Sequence, residues 1–73
     1  MNNLYIINEV LYDYTPGMAV IAAPSLDACR EIFAAKFEMW ADEIDSSIAD
    51  GDYTVIRNVD RAEGVISYVV GGG

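Results

Sequence analysis

From Leu4 to Tyr12 (LYIINEVLY) the hydrophobic pattern is nearly continuous, broken only by Asn8-Glu9, in a segment rich in β-branched and aromatic side chains. That pattern predicts a β-strand. Leu4, Ile6, Asn8 and Val10 would point one way, and Tyr5, Ile7, Glu9 and Leu11 the other. Both sets are largely apolar, so the strand belongs inside a sheet. Asp13-Tyr14-Thr15-Pro16-Gly17 follows. Pro-Gly predicts a turn, because proline fixes φ and glycine accepts a positive φ. Met18 to Ala23 (MAVIAA) then predicts a second strand that closes a hairpin.

The period changes after Pro24. From Ser25 to Ile48 the residues Leu26, Cys29, Phe33, Phe37, Trp40, Ile44 and Ile48 fall within one sector of about 100° on a helical wheel, with Ile32 on the flank. This predicts one long amphipathic helix, or a helix with a break in its last third. Ser25 is placed to cap it, and Asp27 complements the positive end of its dipole. A straight helix through Ile48 would be about 36 Å long, whereas strands of six or seven residues span about 20–24 Å. The last turns must therefore overhang the sheet or break, in the window Ala41 to Ser47. Asp50-Gly51-Asp52 is the stop, with Gly51 as a left-handed cap.

Tyr53 to Val59 (YTVIRNV) predicts a third strand and Gly64 to Val70 (GVISYVV) a fourth, joined by a turn over Asp60 to Glu63. The expected fold class is α+β: a single ββαββ domain over residues 1–73, with a flexible glycine tail at 71–73. Its four-stranded antiparallel sheet is expected in the order 2-1-3-4, with one long helix packed on one face. The other sheet face stays rich in Tyr, Val and Ile, which predicts a homodimer through the sheet.

Composition narrows the chemistry. Fifty-three per cent apolar residues in 73 is enough for a core. The lone Cys29 has no partner for an internal disulfide, and the absence of histidine argues against a zinc site and rules out Ser-His or Cys-His nucleophile pairs. Cys29 lies on the inward stripe and reads as a small buried hydrophobe. Asp50-Gly51-Asp52 resembles a calcium-loop fragment but lacks the remaining ligands at their spacing. No phosphate-cradling glycine loop precedes a helix. The expectation is a protein without cofactor, metal or catalytic centre.

Twelve acids against four bases give a net charge of −8. That field repels nucleic acid and anionic membranes and favours a basic partner, especially one that itself holds nucleic acid. The start MNNLYIINEV has no basic stretch before a long apolar run, and nothing approaches the length of a membrane span. A cytoplasmic location is expected.

The acids are not spread evenly. Asp27, Glu31, Glu38, Asp42 and Asp45 project at roughly 100–160° on the wheel, opposite the core stripe. From Glu38 to Asp52 there are six acids (Glu38, Asp42, Glu43, Asp45, Asp50 and Asp52) and no base. Like-charge neighbours at i,i+3 and i,i+4 each cost about 0.2–0.5 kcal/mol. Two readings stand side by side: a row of carboxylates that imitates a phosphate backbone and docks into a basic groove, or a solvated polar face that happens to be acidic. Tyr12 and Tyr14, flanking the first turn, are a second candidate contact, since tyrosine is enriched at interfaces.

The opening LYIINEV, the hairpin and APSLDACREIF, together Leu4 to Phe37, resemble small phage- or prophage-encoded ββαββ proteins, among them anti-CRISPR inhibitors of similar size and acidity. The resemblance rests on pattern and carries over no residue-level site. It implies a stoichiometric inhibitor that binds a CRISPR-Cas ribonucleoprotein effector and blocks its nucleic-acid channel. The ending ISYVVGGG also resembles the ubiquitin-like sulfur carriers, whose C-terminal Gly-Gly is adenylated and thiocarboxylated; here it would be Gly72-Gly73. Three glycines and the long helix depart from that family. A dimeric accessory domain is the third reading.

Overall fold

The computed structural model describes residues 1–72. It is an α+β fold with the strands β1 (Asn2–Asp13), β2 (Thr15–Ala23), β3 (Tyr53–Val59) and β4 (Gly64–Val69). Two helices, α1 (Leu26–Lys36) and α2 (Glu43–Ala49), lie between β2 and β3, separated by a single 3-10 turn over Glu38–Trp40. All neighbouring strands are antiparallel. No helix is long and apolar enough to cross a membrane, among the described residues.

The strand order is β3-β1-β2-β4, not the expected 2-1-3-4. The central part of the expectation stands, since β1 lies between β2 and β3. The difference is β4, which pairs with the free edge of β2 instead of turning back on β3. The side chains explain this. β2 is apolar on both faces and carries no charge, so it is stable only as an interior strand, whereas Arg57 and Asn58 suit β3 to an edge. Pairing with β2 also brings Tyr68 edge-on to Phe37, with ring centroids 4.9 Å apart. The link over residues 60–63 carries the chain past the ends of β1 and β2. It is pinned there by Asn2, whose Nδ2 donates to the Arg61 carbonyl at 2.9 Å.

The expected long helix is likewise two. Ser25 caps α1 as expected, its Oγ accepting from the Ala28 N–H at 3.2 Å. Helical geometry stops at Phe37 (φ −118°, ψ 60°), ahead of the Ala41–Ser47 window. The break has a packing cause. It keeps Phe37 in the core, and it turns the chain so that Ile44 of α2 is buried over β1 instead of running past the sheet. Gly51, with φ 71°, ends α2 in the expected left-handed conformation.

The core lies between the helices and one sheet face. Cys29, Phe33, Phe37 and Ile44 meet Tyr5, Ile7, Val10 and Leu11 of β1 and Ala19, Ile21 and Ala23 of β2. Phe33 is fully buried, which contributes about 1.5–3 kcal/mol. Leu26, Trp40 and Ile48 of the predicted stripe are only partly buried around this centre.

Strand β1 does not keep its alternation. Its register with β2 shifts between Asn8 and Val10 and again between Val10 and Asp13. Glu9 and Leu11 there have φ values of 55° and 57°, in the left-handed region that costs a non-glycine residue about 1–2 kcal/mol. The bulges turn Val10 and Leu11 both inward and expel Glu9, so the two expected faces exchange members beyond Asn8.

Candidate partner-binding surface

The bulged end of β1 and the tip after it, residues 8–14, have lost much of their ladder, and their backbone groups are satisfied by groups from elsewhere in the chain. Glu43, in the first turn of α2, accepts from the Leu11 N–H at 2.9 Å and from the Tyr12 N–H at 3.4 Å through one Oε1. The buried Ser47 hydroxyl, one turn further along α2, donates to the Asn8 carbonyl at 2.7 Å. Trp40 in the 3-10 turn donates its indole N–H to the Tyr12 carbonyl at 2.9 Å. The Gly71 N–H donates to the Leu11 carbonyl at 2.9 Å. The break at Phe37 is what places Trp40, Glu43 and Ser47 along this arm.

Glu9, expelled by the bulge, meets the loop between α2 and β3. The Asp52 carboxyl is its nearest charged neighbour, with Asp50 further off. The Asp52 hydrogen bond and charge, then partial burial, then the Asp50 charge push Glu9 above the ordinary glutamate value. The Tyr12 hydroxyl is also pushed up, by partial burial first and then by the charges of Glu9, Glu43 and Asp52. Glu9, Tyr12, Glu43, Ser46, Ser47 and Asp50 line an open depression of about 190 Å³.

The sequence candidates therefore divide. The fold brings Glu43, Asp50 and Asp52 together with Tyr12 at one end of the molecule. Glu31 lies apart on α1, beside Asp27, Arg30 and Ala34. Glu38 is exposed in the 3-10 turn, and Asp42 is exposed just before α2. Asp45 is not uncompensated: Arg30 reaches across from α1 and bonds its Oδ1 through Nη2 at 2.6 Å and Nε at 2.8 Å. With the helix broken, these acids do not form the single row that a continuous helix implies. Tyr14 stands at the hairpin tip, 92% exposed and with φ 70°.

Two participants are invisible to periodicity. Glu9 joins the cluster only because the bulge reverses its direction, and no local pattern marks that irregularity, since the adjacent apolar pair Ile6-Ile7 in the same strand keeps a regular register. Arg30 and Asp45 are fifteen positions apart, so only the fold of α2 against α1 makes them a pair.

The bases stand elsewhere. Arg30 is engaged with Asp45, and the Lys36 ammonium lies 5.8 Å from the centre of the Tyr68 ring. Arg57 and Arg61 lie on and beyond the part of β3 that pairs with the start of β1, at the opposite end of the sheet from the acids. The Cys29 thiol is fully buried and pushed up by that burial to about 11, which keeps it protonated and shielded at neutral pH. Among the described residues, no group of three or more potential ligand residues is arranged to hold a metal ion.

The glycine tail is partly engaged. Thr15 Oγ1 accepts from the Gly72 N–H at 3.0 Å and donates to the Gly72 carbonyl at 2.9 Å. Gly71 is buried, and a Cβ there would collide with the Thr15 carbonyl oxygen. Both residues thus lie against the hairpin instead of hanging free; Gly73 lies outside the described residues.

Comparisons with protein-family models, with characterised proteins and with solved structures return no match.

Proposed function

We propose that this chain is a non-catalytic binding protein that docks its acidic end against a basic, nucleic-acid-handling partner and competes there with nucleic acid. The observation that carries the reading is the convergence of Glu9, Glu43, Asp50 and Asp52 beside Tyr12, with the bases engaged or at the far end. A surface of one sign is steered by long-range attraction to a surface of the other, and close carboxylates accept the N–H donors that arginine and lysine offer to phosphates. The Glu9–Asp52 contact supports this further. Two carboxylates held together repel each other in the free protein, and a cation placed between them relieves that repulsion.

The resemblance of Leu4 to Phe37 to anti-CRISPR proteins supplies the target class: a CRISPR-Cas ribonucleoprotein in the cytoplasm of a phage-infected bacterium. No direct contact with nucleic acid or membrane belongs to this reading. The sulfur-carrier alternative needs a tail free to thread into an activating enzyme, and the bonds of Gly71 and Gly72 to Leu11 and Thr15 give it less support.

Competition on a purified CRISPR effector tests the reading. The chain should displace target DNA at low salt, and displacement should weaken as salt rises, because surface charge attraction is screened over about 8–10 Å near physiological ionic strength. An absence of displacement across representative effector types, or displacement indifferent to salt, would overturn it.

A further inference from the structure

The sheet face turned away from the helices differs from every other surface of the molecule. The register between strands places Leu4 and Ile6 of β1, Met18 and Val20 of β2, Ile56 of β3 and Val69 of β4 on this face. Ile56 and Val69 are 45% and 58% exposed, and the other four are half-buried by their neighbours alone. The remaining outward positions in the register are Asn, Thr, Ser, Ala, Val or Gly. No charged side chain occupies an outward paired position, although 22% of the chain is charged. Asp60, Arg61 and Glu63 lie in the link between β3 and β4, at one end of the sheet.

We infer that two copies of this chain associate through this face into a reversible dimer, sheet against sheet. Charge selects the occupant. A basic partner finds no carboxylate here, and a nucleic acid finds no base. Two copies each carrying −8 repel wherever their helical layers or acidic ends approach. Contact through this face keeps the acidic ends turned outward, away from the partner copy. The same patch serves both sides of a two-fold contact, so its apolar character is matched by construction. Ile6 and Val20 are register partners on the two central strands and fall near the middle of such an interface. Two antiparallel sheets stack about 10 Å apart with strands crossing at about 30°.

Area sets the strength. Four strands about 4.8 Å apart, each offering about six residues at about 3.3 Å, give a face of roughly 380 Å². Two such faces bury roughly 760 Å² in total, below the roughly 1,200–2,000 Å² of stable interfaces. The dimer is therefore concentration-dependent and not obligate. The inference is independent of the acidic-end reading, because the two surfaces share no residue and either one can fail alone.

Sedimentation of the intact chain from about 5 to about 500 µM tests it, a range chosen for an association in the micromolar regime. The expected result is a monomer–dimer equilibrium in which the dimer strengthens as salt rises, since screening removes the repulsion between two −8 copies. Ile6→Glu should weaken it at least about 100-fold by placing charge at the centre. Ile56→Glu, at an exposed position that the fold tolerates, should weaken it at least about 10-fold, and circular dichroism should show both variants folded. Tyr14→Ala, at the hairpin tip, should dimerise as the parent does. A chain that stays monomeric throughout at high salt overturns the inference and leaves the face to a different protein. So does a dimer that weakens with salt or survives Ile56→Glu in the folded variant, either of which points to pairing through a different surface.

Discussion

From Asn3 to Asn8, β1 is held by backbone ladders, paired with Ala23 to Met18 of β2 and, over Leu4 to Ile7, with Ile56 to Tyr53 of β3. From Glu9 to Tyr14 the register slips twice, three non-glycine residues adopt positive φ, and the backbone depends on Glu43, Ser47, Trp40 and Gly71. The first half is stabilised by repetition, which tolerates the loss of any one side chain beyond its own packing. The second half depends on a few single bonds from distant parts of the chain. It is also the half that gathers the acids.

The largest effect should come from the core that both halves share. Phe33→Ala should cost about 3–5 kcal/mol in chemical denaturation, enough to unfold much of a domain this small. Because it acts on the whole core, it should lower the protection of both halves of β1 together in hydrogen exchange.

A smaller substitution should separate them. Glu43→Ala leaves the Leu11 and Tyr12 N–H groups without their acceptor and should cost about 1–3 kcal/mol. Amide exchange should accelerate at Leu11 and Tyr12 and stay close to the parent at Ile6 and Ile7. Glu43→Gln keeps an acceptor oxygen and should recover most of that protection. If the glutamine variant exchanges as fast as the alanine variant, the bond geometry is not what holds the arm. Ser47→Ala, which removes one neutral hydrogen bond to Asn8, should cost about 1 kcal/mol by the same measurement.

The subtlest distinction is in pH. Glu9 is raised above its ordinary value by Asp52, so the folded chain binds that proton more tightly than the unfolded chain does. Its contribution is fully present below the ordinary glutamate value and is lost as pH rises through the raised value. Acidification from neutrality through that window should therefore stabilise the protein slightly. Asp52→Asn should flatten this part of the profile, and an unchanged profile in that variant would place the effect elsewhere.

The same contrast decides what could be read in advance. The four strands, the Ser25 cap and the Gly51 stop follow from local period and from single residues with fixed conformational preferences. The turn expected at Pro16-Gly17 does not form there: the chain reverses at Tyr14, with φ 70°, and Pro16 and Gly17 lie in β2, where Gly17 pairs with Val10. The inward set of Cys29, Phe33, Phe37 and Ile44 is also local, because a stripe keeps its face through a bent helix. The position of β4 is not local. It depends on whether β2 or β3 is more stable as an edge, a choice carried by the charge-free MAVIAA and the polar Arg57-Asn58 and supported by the Tyr68–Phe37 contact. The acidic site was half legible. Glu43, Asp50, Asp52 and Tyr12 stood out by type, but the wheel drawn through an unbroken helix put Asp27, Glu31, Glu38, Asp42 and Asp45 in one row instead. The break at Phe37 and the bulge at Glu9 replaced that row with a cluster.

Two charge-reversed proteins, titrated against the same basic nucleic-acid-handling complex at low salt, separate a localised acidic contact from bulk charge. Asp50→Lys with Asp52→Lys reverses the acidic end, and Glu31→Lys with Glu38→Lys reverses the same number of acids on α1 and in the 3-10 turn. The account predicts that the first pair weakens binding at least about 100-fold, the loss expected where close charge pairs are worth a few kcal/mol, while the second stays within about 10-fold of the parent. Equal losses from both pairs would make net charge the only determinant. Loss from the second pair alone would place the contact on the α1 side and contradict the account.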